Sequence, residues 1–68
     1  MKISARNVLK GTITEVIKGQ TTAHVLMDVG GTIVTAAITN QAVDALKLAK
    51  GKAAYAIVKA SDVMIGVD

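Results

Sequence analysis

The chain has 68 residues, 51% of them hydrophobic with Tyr55 as the sole aromatic, and a formal net charge of +3, with one His and no Cys. That length allows one domain, residues 1–68, whose core supplies only roughly 3–5 kcal/mol; without Cys or a His cluster, neither a disulfide nor a structural zinc can add to it, so association with further copies is the remaining source of stability. The positive charge is spread over Arg6 and seven separate lysines, a surface that attracts small anions rather than a nucleic-acid footprint.

At the start, Met1-Lys2-Ile3-Ser4 leaves no apolar run for a signal peptide, and no segment reaches the ~18 uninterrupted apolar residues of a membrane span. A soluble, cytoplasmic protein without a membrane partner is expected. Ser4-Ala5-Arg6-Asn7 then sets a hydroxyl, a guanidinium and a carboxamide within four residues. From Leu9 to Ile17 the odd positions read Leu, Gly, Ile, Glu, Ile and the even ones Lys, Thr, Thr, Val, which predicts a half-buried strand with one breach at Glu15. Gly11 removes a side chain from its inner face, where the strand can bend or admit another backbone. Lys18-Gly19-Gln20-Thr21 reads as a turn.

Thr22 to Val29 alternates again, with Ala23, Val25, Met27 and Val29 on one side and His24, Leu26 and Asp28 on the other. Gly30-Gly31 can take the positive φ angles of a tight hairpin, and the β-branched run from Thr32 to Ile38 predicts a third strand of the same meander. Thr39-Asn40 offers an N-cap, after which Ala42, Val43, Ala45, Leu46 and Ala49 recur at helical spacing up to Gly51, with Lys47 and Lys50 near the end where cations suit the dipole. Ala53–Val58 and Val63–Val67 predict two further strands around the polar Lys59-Ala60-Ser61-Asp62. Three strands, one short helix and two strands is the order of an OB-like fold, an all-β, five-stranded Greek-key barrel.

Two short donor-rich segments stand out, Ser4-Ala5-Arg6 before the first strand and Lys59-Ala60-Ser61 after the fourth. Guanidinium and ammonium groups make charge-assisted hydrogen bonds to a tetrahedral dianion, and hydroxyls and backbone N–H groups fill its remaining lone pairs. Thr39-Asn40-Gln41-Ala42 opens the helix, where free N–H groups favour an anion.

The residues Ser4-Ala5-Arg6-Asn7, Gly11-Thr12-Ile13, Ala37-Ile38-Thr39 with Gln41, and Lys59-Ala60-Ser61 resemble the molbindins, Mop-type molybdate-binding domains that also occur in molybdate-responsive regulators and molybdate-transporter ATPases. The resemblance covers essentially the whole chain. It implies an OB-like fold and reversible binding of molybdate, with tungstate as analogue, for intracellular storage or homeostasis. It further implies a homohexamer built as a trimer of dimers, with pockets between subunits. On that basis the molybdate-binding residues are Ser4, Ala5, Arg6, Thr39, Asn40, Gln41, Ala42, Lys59, Ala60 and Ser61, all binding the oxyanion rather than ligating the metal. Some relatives carry a hydroxyl where this chain has Ala42, leaving only a backbone N–H there. Arg6 and Lys59 of one pocket are expected from different chains, and Lys18, Gly19, Thr22 and His24 are candidates for a second oxyanion site.

Two other function classes compete. A single-strand nucleic-acid module of the same fold needs aromatic stacking platforms, and one Tyr supplies none. A ligand-free oligomerisation domain would use the same apolar faces without Arg6, Lys59 or Thr39. An enzyme is disfavoured, since there is no Cys nucleophile, one His and no carboxylate pair at a catalytic spacing.

Overall fold

A computed structural model describes residues 1–68. Its elements run β1 (Asn7–Lys18), β2 (Thr22–Val29), β3 (Thr32–Thr39), α1 (Asn40–Ala45), β4 (Ala53–Val58) and a single 3-10 turn over Ala60–Asp62. The four strands form one antiparallel sheet in the order β3-β2-β1-β4.

β1 has different neighbours along its two halves. Asn7–Thr12 pairs with β4, Asn7 opposite Val58 and Thr12 opposite Ala53, whereas Thr12–Lys18 pairs with β2, Thr12 opposite Asp28 and Lys18 opposite Ala23. The ladder to the chain ahead of β4 continues through Ile13, whose N–H donates to Lys52 O and whose carbonyl accepts from Gly51 N–H. The two halves overlap at Gly11–Ile13, and a side chain on Gly11 would drive into the Asp28 carbonyl and come within 2.9 Å of Val29 Cγ2. Gly11 is therefore the close backbone approach expected of it.

The breach at Glu15 also has a cause. The β1–β2 register slips between Ile13 and Glu15, so that Ile13 faces Met27 and Glu15 faces Leu26. Thr14 is the extra residue of a β-bulge, with its Oγ1 donating to Leu26 O at 3.2 Å. Past the bulge the inward parity reverses. Val16 packs against the core, while Glu15 points outward and Ile17, expected inside, is half exposed.

β2 follows its alternation, burying Ala23, Val25 and Met27. The β2–β3 turn is made by Gly30 and Gly31 at φ +60° and +91°, and Asp28 Oδ1 accepts the Gly31 N–H at 2.8 Å. The helix is shorter than its spacing predicts and stops at Ala45. Lys47 adopts a left-handed φ of 54°, and Lys52 Nζ donates to the carbonyls of Leu46 and Lys47, so the C-terminal cation is Lys52 rather than Lys47 or Lys50. Val43 is the one side chain that α1 buries.

The fifth strand, expected over Val63–Val67, does not form, and the sheet has four strands with β3 and β4 at its edges. That segment pairs with neither free edge of the sheet, β3 or β4. Met64, Ile65 and Val67 are left 92%, 88% and 94% exposed. The fully buried core is only Ile13, Ala23, Val25, Met27 and Val43, while Val8, Ile33, Tyr55 and Ile57 lie exposed on the sheet's outer side.

Gly11→Ala is predicted to destabilise the protein by about 1–3 kcal/mol, the range for overpacking a closed site. Urea unfolding at fixed protein concentration checks this, with Gly30→Ala as the comparison for strain at positive φ without any steric neighbour.

Candidate functional site

Because β1 and β4 run antiparallel with Asn7 opposite Val58, the residues just before β1 and just after β4 leave the sheet side by side. Asn7 fixes that junction, its Nδ2 donating to Val58 O at 3.1 Å. The two donor-rich segments of the sequence, Ser4-Ala5-Arg6 and Lys59-Ala60-Ser61, are thus brought to one end of the sheet by a single chain. Arg6, Lys59, Ser4 and Ser61 are all exposed there. Lys59 caps the 3-10 turn, whose carbonyl partner for Asp62 N–H is Lys59 O at 2.9 Å. The Asn7–Val58 pairing sets Arg6 and Lys59 at the same end of one chain, so the two segments do not need a second chain to come near one another.

Thr39-Asn40-Gln41-Ala42 lies elsewhere. Thr39 pairs with Thr22, beyond the point where Lys18 pairs with Ala23, so this segment sits at the opposite end of β1. The strand's 12 residues separate the two ends, on the order of 35 Å at about 3.3 Å per residue along the chain. One chain does not bring all ten expected binding residues together.

The helix start is also less open than the sequence implies. Thr39 Oγ1 accepts the Ala42 N–H at 3.0 Å, the usual N-cap bond, so the backbone donor expected at Ala42 is engaged. Asn40 N–H donates to Thr21 O at 2.9 Å and Asn40 Nδ2 to Gly19 O at 2.9 Å. Asn40 therefore braces the β1–β2 turn, and its Oδ1 is a buried acceptor with no partner within the chain. Thr39 keeps its own O–H to donate, and Gln41 is exposed.

At this second end lies a concavity of about 250 Å³, lined by Ile17, Lys18, Gly19, Thr22 and His24. It contains all four residues expected of a second oxyanion site. The turn behind it is tight, with Gly19 N–H donating to Thr22 O at 2.7 Å. Lys18 Nζ lies 2.6 Å from Asp44 Oδ1 of α1. Asp44 escaped sequence reasoning, because a partner 26 residues away leaves no local pattern; Ile17 was missed because the bulge at Thr14 hid its outward turn. No group of three metal-ligating side chains is present, and the donors at both ends are hydrogen-bonding groups suited to an oxyanion's oxygens.

The TOBE domain family matches residues 3–65. The chain belongs to that family. A probable molybdenum-pterin-binding protein of Haemophilus influenzae is 46% identical over 69 residues, covering all of both chains. Among solved structures, a molybdate binding protein from Sporomusa ovata superposes with a TM-score of 0.94 at 42% identity, covering 98% of this chain and all of that one. The cytoplasmic molybdate-binding protein ModG, in a crystal form with molybdate bound, gives a TM-score of 0.94 at 40% identity, and this chain spans 49% of it. These neighbours have OB-like folds, as the element order implied, and the family is one of binding and regulatory domains.

Thr39→Ala is predicted to cost about 1 kcal/mol of stability through loss of the cap, and Thr39→Ser to retain most of it. Denaturant midpoints of the three proteins decide this.

Proposed function

We propose that this chain binds molybdate reversibly, and tungstate as its analogue, to store or buffer molybdenum in the cytoplasm, and that it catalyses no reaction. The observation that carries the reading is the β1–β4 pairing, which sets Ser4-Ala5-Arg6 beside Lys59-Ala60-Ser61 in a chain similar over its full length to molybdate-binding proteins. Arg6 and Lys59 supply charge to the dianion, and Ser4, Ser61 and the amides at Ala5 and Ala60 supply the remaining donors. No observation favours a nucleic-acid module, since Tyr55 stands without a second aromatic.

The principal pocket is completed by a second copy, whose Thr39 hydroxyl and Gln41 approach the Arg6–Lys59 end of the first. Three features support assembly. The core holds five fully buried residues, the outer face of β1 and β4 is apolar at Val8, Tyr55 and Ile57, and the exposed Met64, Ile65 and Val67 form an unpaired extended tail. A second copy is the occupant whose apolar faces match them, and a hexamer built from such dimers is the full assembly. The concavity at Lys18, Gly19, Thr22 and His24 serves as a second, weaker oxyanion site.

Calorimetric titration with molybdate is predicted to show Arg6→Ala weakened about ten- to a hundredfold, the worth of a charged hydrogen bond, and Lys10→Ala unchanged. Co-refolding Arg6→Ala with Thr39→Ala subunits should recover intact pockets in the mixed dimers. Binding no better than either variant alone, in preparations where mixed dimers are demonstrated, contradicts the shared pocket.

A further inference from the structure

We propose that Asp44 sets the charge selectivity of the Lys18–His24 concavity, acting as a built-in counter-ion that an incoming oxyanion must displace. The inference rests on reading that concavity as an oxyanion site. Of the five residues that line it, Lys18 alone carries a permanent charge, and its ammonium is already held by Asp44 Oδ1 at 2.6 Å.

The carboxylate is there by construction. Asp44 follows Val43, the residue that pins α1 to the core, and Asn40 ties the start of α1 to Gly19 O and Thr21 O. The turn that walls the concavity therefore also fixes the helix that delivers Asp44. Both ion-pair partners remain substantially exposed, at 46% and 68%, so the pair is weak and exchanges readily. An oxyanion that takes the ammonium leaves Asp44 beside it as an unpaired like charge.

Two consequences follow from Coulomb's law. Ammonium and carboxylate sum to zero, so an approaching anion finds hydrogen-bond donors at Thr22 and His24 but little net attraction from this pair, the Gly19 N–H being engaged by Thr22 O. The contribution of Asp44 taken alone is repulsive and scales with ligand charge, twice as large for a dianion such as molybdate as for a tetrahedral monoanion such as perrhenate, so its removal benefits the dianion more. Asp44 thereby keeps this site weaker than the Arg6–Lys59 pocket, which fills first, and leaves the concavity to load only when the dianion is abundant.

The test is equilibrium dialysis of the intact oligomer with molybdate and with perrhenate, using wild type, Asp44→Asn, Lys18→Gln and the double variant. Asp44→Asn is expected to tighten the weaker class of molybdate sites by about three- to tenfold at low ionic strength, with the gain fading as salt shortens the screening length. The gain should be smaller for perrhenate and absent in the Lys18→Gln background. Unchanged or weakened molybdate binding in Asp44→Asn, with the weaker class still lost in Lys18→Gln, would falsify the role of Asp44 while leaving the site in place. An equal gain for both anions overturns the charge selectivity. If Lys18→Gln leaves every class of site intact, the concavity is not an oxyanion site and the inference falls with it.

Discussion

The structure depends on one strand serving two partners. β1 gives its first half to β4 and its second half to β2, and the handover at Gly11–Ile13 works only because no side chain stands between β1 and the Asp28 carbonyl. Ile13, almost wholly buried at this crossing, bonds to the chain ahead of β4 and pairs with Met27 of β2. Such a staggered sheet curls. It also sends the polar ends of the chain in opposite directions, with residues 4–6 and 59–61 at one end and residues 18–22 and 39–42 at the other.

That separation turns a geometric constraint into a functional one. Charged donors and helix-start donors, all of which the family resemblance assigns to a single oxyanion pocket, cannot meet within one chain. The same chain leaves Ile33, Tyr55, Ile57 and its apolar tail uncovered. Under the proposed function, a second copy covers the apolar faces and brings its own helix start to the charged end. In this arrangement binding and assembly are linked, since a ligand that binds only the assembled form stabilises it by mass action.

Much of this was legible in the sequence, for reasons that vary by element. β2 and β4 have the predicted bounds because their alternation is unbroken and their turns carry glycine or lysine-rich breaks. The place of Gly11 was readable because a glycine on an inward face has few other uses. The bulge at Thr14 was visible only as an anomaly at Glu15, since a register slip depends on the partner strand. The short helix and the missing fifth strand failed for a related reason. Periodicity records what a segment can form, whereas tertiary partners decide what it does form: Lys47 and Lys52 end the helix, and Val63–Val67 docks on neither edge of the sheet. The placement of Arg6 and Lys59 at one end of the sheet follows from β1–β4 register and could not be assigned to one chain from spacing alone. The engagement of Ala42 by Thr39 and of Lys18 by Asp44 likewise depends on how the chain folds.

The central claim is that one bound dianion is held by two chains. Anomalous diffraction at the molybdenum absorption edge, on crystals grown with molybdate, locates the metal directly. The account predicts a strong peak between the Arg6–Lys59 end of one chain and the Thr39–Gln41 segment of another, within hydrogen-bonding reach of donors from both. A fully occupied peak whose donors all belong to a single chain, or no peak near Arg6 and Lys59, would contradict it.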